Sequence, residues 1–263
     1  MARILWSREE FMLVMNLYTK IPYGQFHARN TEVIKLSNIL NRTPGAVAYK
    51  LVHFAGLDPY HKNRGIKGLA NPGNNAIKIY NEFQKNWDEM LLESEELLYN
   101  YQRIDIRDSF LLQEERIEQN INKLSAKTGK DVERIFKARI NQHLFRQVIL
   151  GNYYHKCSIC ELNISDLLIA SHILKWSENR KERLNPQNGI CLCNIHDKAF
   201  ELGYIGITAD YKINLSKRLN KIADKKTFDA LFYRHQNNKI ILPDKFYPSP
   251  LFLEEHYSSC FLT

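Results

Sequence analysis

The sequence predicts an α+β chain: a helical N-terminal region, then a second half built on a strand–loop–strand–helix unit. Three observations predict it. Between residues 6 and 54, apolar side chains recur at helical spacing behind recognisable N-cap residues. Between residues 167 and 201, the pattern changes to two short apolar runs of strand length and then returns to helical spacing. Four of the five cysteines (157, 160, 191 and 193) fall within 37 positions of that second half.

Composition narrows the class. At 263 residues the chain has room for one large domain or two ordinary ones. A content of 44% hydrophobic and 25% charged residues excludes a disordered tail, a collagen and a disulfide miniprotein. No run approaches the roughly 18 apolar residues of a membrane span. The start, MARILWSREEF, lacks the apolar core of a signal peptide. The expectation is a cytoplasmic protein without a membrane partner. Clustered cysteines there read as metal ligands before disulfides.

Charge divides the chain in three. Residues 1–90 carry twelve bases against seven acids, 91–135 seven against ten, and the remainder eighteen against twelve, within a net charge of +8. The expected organisation is a helical part at 1–90, an acidic helical connector at 91–138 and a second domain at 139–263. Two basic parts suit a polyanionic partner.

The first part reads as three helices. Ser7 and Glu10 form a capping box, with Trp6 and Phe11 placed as a hydrophobic staple. Phe11, Val14, Met15 and Tyr18 follow at helical spacing. A second helix begins near Thr31. A third starts with Thr43 as cap and Pro44 at its first position, where a missing N–H costs little. Its apolar face is Val47, Leu51 and Phe54, and its other face offers Tyr49, Lys50 and His53. The segment 59–75 reads as a loop. This arrangement is similar to helix-turn-helix units of Myb/SANT type, in which a short third helix enters a major groove. Tyr49, Lys50 and His53 are then DNA-binding candidates; equally, the three helices are a scaffold and those residues a solvated face. Residues 108–126 read as one acidic helix whose apolar stripe packs on its own chain rather than forming a dimer seam.

Metal-ligand spacing dominates the second half. Cys157-x2-Cys160 is followed by Cys193-x2-His196. Each pair offers two soft ligands from one turn, and the insert lets the second pair close a tetrahedral shell, as structural Zn²⁺ requires. One such pair alone carries little weight; the cysteines would then be small buried hydrophobes. Cys191, two residues before Cys193, is a spare ligand candidate but is expected in the core, and Cys260 is expected as a free thiol.

Between the pairs lies Leu167–Leu174, a short strand containing His172. A polar loop rich in Lys and Arg follows. Asn188-Gly189 turns the chain into a second strand, and a helix closed by Gly203 comes after Cys193. After that helix, residues 204–215 alternate like two more strands. Residues 225–263 mix aromatics with bases and serve either as DNA surface or as core.

The phrases FRQVILGNYYHKCSIC, ASHILKW, RLNPQNGICL and HDKAF carry a resemblance to the HNH endonuclease family, in the subfamily of predicted bacterial restriction endonucleases. The resemblance covers residues 139–215 and implies a ββα-metal HNH nuclease domain with structural zinc. It implies His172 as general base, Asn188 as the amide tying the loop ends, and Asp197 as ligand of a catalytic Mg²⁺ or Mn²⁺. His196 falls on a zinc position, with a catalytic role left open. Ser171 departs from the pattern, since many relatives carry an acid there. Arg146, Lys175, Arg180, Lys181 and Arg183 are expected on DNA phosphates. The implied substrate is double-stranded DNA; with one site per chain, cutting both strands points to a homodimer. The alternatives are a zinc-stabilised DNA-binding regulator and a relaxed-specificity defence nuclease.

Overall fold

Ser7 starts the first helix as the spacing predicts. Its hydroxyl accepts from the Glu10 N–H, and the Glu10 carboxylate accepts from the Ser7 N–H, around α1 (Arg8–Lys20). The Trp6 and Phe11 rings meet at 5.8 Å. The structure is a computed structural model that describes residues 5–69, 71–102, 129–176, 179–222 and 224–262. It divides into two units, Met1–Leu144 and Phe145–Thr263.

In the first unit α1 is buried along nearly its whole length, from Glu10 to Thr19. Around it stand α2 (Thr31–Ile39), α3 (Pro44–Leu57), α4 (Pro59–Asn63), α5 (Asn74–Lys85) and α6 (Trp87–Gln102). Thr43 caps α3 with Pro44 at its first position. Phe11, Val14, Leu51, Phe54, Ile79 and Phe83 share one core. One buried polar cluster is matched: Asn16 donates to Ser94 and Glu95, and Glu95 also pairs with Lys20. Segment 59–75 is not all loop. Asp58 accepts from the Tyr60 N–H and Pro59 presets the backbone, so one helical turn, α4, forms there. The acidic helix expected at 108–126 lies outside the described residues.

The second unit begins on α7 (Gly129–Asn152), whose Phe145, Val148 and Ile149 are buried. β1 (Leu168–His172) and β2 (Gly189–Cys193) pair antiparallel, with Leu168 opposite Cys193 and His172 opposite Gly189. Then come α8 (Asn194–Glu201), β3 (Ile205–Ile207) paired with β4 (Ile213–Leu215), α9 (Lys217–Ile222), α10 (Lys225–Leu231) and α11 (Pro250–Cys260). The expected strand–loop–strand–helix order is present. Gly203 follows α8 with φ +74°, as a helix-ending glycine should.

Asn188-Gly189 is not the turn the sequence suggested. Residues Pro186–Asn188 form one 3-10 turn, and Gly189 is extended at φ −131°. Glycine is needed there for space: a Cβ would lie 2.4 Å from Ile149 Cδ1 and 2.7 Å from Phe145 Cζ. Among the described residues, no helix is long and apolar enough to cross a membrane.

Candidate active site and metal centre

Cys157, Cys160, Cys193 and His196 come together, their ligand atoms all within 4.8 Å of one another. Cys157 and Cys160 leave the loop after α7; Cys193 ends β2 and His196 lies in the first turn of α8. Tetrahedral Zn–S and Zn–N bonds of about 2.3 and 2.0 Å give S···S and S···N edges of about 3.8 and 3.5 Å. The Cys160 and Cys193 sulfurs are 3.9 Å apart, and His196 Nδ1 is 3.6 Å from the Cys157 sulfur and 3.3 Å from that of Cys193. His196 Nε2 donates to the Leu231 carbonyl at 3.0 Å, which turns Nδ1 toward the sulfurs. Hydrogen bonds from the Cys157 and Cys160 thiols hold the Cys193 thiol far below its usual range, favouring the thiolate a metal needs. These four residues could hold zinc. Cys191 stays out: it is fully buried in β2, and burial pushes its thiol up to about 12.

His172 ends β1 between two rings. Phe145 stacks on it at 3.9 Å and 14°, and Trp176 meets it edge-on at 5.2 Å. Its Nε2 lies 3.0 Å from the Arg183 carbonyl. A carbonyl only accepts, so Nε2 carries the proton and Nδ1 keeps the lone pair. Burial holds the His172 pKa below 6.5, with the Arg183 charge adding to it and the hydrogen bond to the Arg183 carbonyl opposing it. The ring is therefore neutral near pH 7.

Asn188, 1% exposed, ties both ends of the loop. Its Oδ1 accepts from the Leu174 N–H at 2.7 Å, and Nδ2 donates to the Leu174 and Glu182 carbonyls at 3.3 and 3.0 Å. Glu182 is the neighbour of Arg183, so the same amide steadies the carbonyl that holds His172.

Asp197 sits in the first turn of α8, half-buried. Burial raises its carboxyl pKa against a hydrogen bond from the Ser171 hydroxyl, which lowers it. Ser171, where the family resemblance implies an acid, is thus an electrostatic neighbour of Asp197. The donor set on offer is one hard carboxylate and one hydroxyl, which suits an oxygen-seeking divalent ion completed by water and phosphate.

The expected phosphate contacts divide. Lys175 and Lys181 are exposed. Arg146 is already engaged: its Nη1 and Nη2 donate to the carbonyls of Leu168 and Ser165 at 2.6 and 2.9 Å, clamping the entry to β1. Arg183 lies over the Trp176 ring, and its Nε donates to the Trp176 carbonyl at 2.9 Å. The side chain of Arg180 lies outside what is described.

The outer face expected on α3 does not form as one surface. Tyr49 is 51% exposed, but His53 is only 3% exposed and neither of its ring nitrogens has a hydrogen-bond partner among the described residues. Lys50 leans back over the Trp6 and Phe11 rings. The chain returns over the far end of α3, where Gly68, at φ +60°, lies against Gly56, a contact no local spacing encodes.

Three partners escaped the sequence reading: the ring of Phe145 against His172, the Arg183 carbonyl, and the Leu231 carbonyl behind His196. Main-chain acceptors leave no residue-type signal. Phe145 opens the FRQVILGNYYHKCSIC phrase, but nothing local assigns its ring to His172.

Residues 157–208 match the model of the HNH endonuclease family. No curated protein matches the chain.

Proposed function

We propose that this chain is a metal-dependent DNA endonuclease of restriction type, hydrolysing phosphodiester bonds in double-stranded DNA. What supports this reading most is the neutral His172, with Nε2 committed to the Arg183 carbonyl and Nδ1 left basic, inside a segment that matches HNH endonucleases.

His172 Nδ1 takes a proton from water as that water attacks the phosphorus in line. Asn188 keeps the base strand and the loop in register. Asp197, with the Ser171 hydroxyl beside it, would hold Mg²⁺ or Mn²⁺. A bound ion of that kind supplies polarisation of a phosphate oxygen and stabilises the leaving 3′-oxygen. Lys175 and Lys181 offer charge to flanking phosphates. The products carry 5′-phosphate and 3′-hydroxyl ends. The Cys157, Cys160, Cys193 and His196 cluster would hold a structural zinc, separate from the cleavage chemistry. The α2–α3 pair serves as a helix-turn-helix-like reading part, with Tyr49 an exposed side chain of α3. One site per chain makes a homodimer the simplest way to cut both strands.

The test is plasmid cleavage by purified protein with Mg²⁺ or Mn²⁺. His172→Ala should abolish cleavage while DNA binding and zinc content persist. Equal cleavage by His172→Ala overturns the assignment, and an intact plasmid with wild type across varied and modified sequences favours a zinc-stabilised DNA-binding regulator. Discrete fragments mark a restriction enzyme, and a smear marks a relaxed nuclease.

A further inference from the structure

Between Lys217 and Arg234 the chain carries six bases, Lys217, Arg218, Lys221, Lys225, Lys226 and Arg234, against two acids, Asp224 and Asp229. All six are exposed. None makes an ion pair with a described residue. Three other exposed lysines of this unit do pair, Lys156 with Glu161, Lys198 with Glu201 and Lys212 with Asp210. Asp224 is already used as the cap of α10, where it accepts from the Thr227 N–H at 3.0 Å. The two short helices α9 and α10 thus present like charge at close spacing, with Asp229 the one acid on them and no ion pair to it among the described residues, which favours a polyanion over a solvated face.

Beneath the bases the surface is anchored. Leu219, Phe228 and Phe232 are buried. Behind α10, His196 Nε2 donates to the Leu231 carbonyl at 3.0 Å, and the His196 ring meets Phe232 and His235 at 6.0 and 5.6 Å. His196 adjoins Asp197 on α8. One helix therefore carries a proposed catalytic ligand and also fixes the basic face. Beside Arg234, Tyr233 is 61% exposed and offers a flat ring to a sugar or phosphate edge.

We infer that the basic face of α9 and α10 is a docking surface for the phosphate backbone of duplex DNA flanking the cleavage site, an inference that rests on the nuclease reading above. Its contacts are to phosphates, so it supplies affinity and orientation without sequence choice.

The test uses full-length protein in the His172→Ala background, so that the probe stays intact. The probe is a fluorescein-labelled mixed-sequence duplex of about 40 base pairs, followed by anisotropy against salt. Two double variants, Arg218→Gln/Lys221→Gln and Lys225→Gln/Lys226→Gln, are read separately, each with melting temperature and zinc content matched to the parent. Each should weaken binding roughly tenfold at moderate salt and reduce the slope of log affinity against log salt by about 2, near 0.9 per lost phosphate contact. Lys78→Gln/Lys85→Gln, on α5, should leave both where they were. Doubles that keep the parent's affinity and slope overturn the docking face, and if the wild type still cuts DNA the nuclease reading survives. Weakened doubles beside a wild type that never cuts overturn the nuclease reading and leave the docking face standing. A single-stranded RNA of equal length that binds more tightly through the same residues overturns the duplex assignment. A parent that binds no duplex overturns both.

Discussion

His172 donates its Nε2 proton to the main-chain carbonyl of Arg183 at 3.0 Å. The tautomer of the proposed base is thus set by the backbone of the loop that follows it. The loop carbonyl fixes one nitrogen, Phe145 fixes the ring plane, and Nδ1 is what remains for chemistry.

The pH profile should show this. Burial holds the His172 pKa below 6.5, and the base works only when neutral. Cleavage should therefore rise with pH through that depressed pKa and stay flat above it. Phe145→Leu keeps an apolar side chain but removes the stacked ring and admits water. The acid limb should move up toward 6.5, as kcat/KM measured across pH would show. A limb that stays put, or activity falling as pH rises toward neutrality, contradicts the assignment. The same shift makes the fold less stable in acid: below about 6.5 the unfolded chain takes up the proton first.

Asn188→Ala should destabilise the second unit by about 2–4 kcal/mol, since it strands the Leu174 N–H and two carbonyls in a buried place. Asn188→Asp keeps the acceptor for Leu174 but turns a carboxylate toward two carbonyls, and should be no better. Urea melts check the stability. Cleavage should drop mainly in kcat, because the loop that orients His172 is released.

Gly189→Ala should cost about 1–3 kcal/mol and reduce cleavage, because its Cβ would overlap Ile149 Cδ1 and Phe145 Cζ. Ile149→Val removes the nearer of those atoms. The double variant should therefore recover part of the loss, a non-additivity that thermal melts can read. Simple addition of the two effects would show that the contact is not the cause.

Metal analysis should find one tightly held zinc per chain. Cys157→Ser, Cys160→Ser, Cys193→Ser and His196→Ala should each lose it, and a strong chelator should lower the melting temperature of the wild type. Cys191→Ser and Cys260→Ser should keep it. Zinc retained in Cys193→Ser would rule out the four-ligand shell.

The sequence by itself determined what depends on neighbours a few residues apart. The Ser7 and Glu10 capping box, the Thr43-Pro44 start of α3, the two ligand pairs and the order of strands and helix all follow from spacing within a turn or a pleat. Tertiary structure decided what depends on chain return. It buried His53 in place of exposing it, turned Arg146 onto the carbonyls of Leu168 and Ser165, laid Phe145 on His172, and made Gly189 a packing requirement where a turn was expected. The physical reason is common to all four. A side chain's periodicity gives its direction on its own element. Whether that direction meets solvent, a carbonyl or a ring is set by a distant segment, and main-chain acceptors such as those of Arg183 and Leu231 carry no residue identity by which a sequence could announce them.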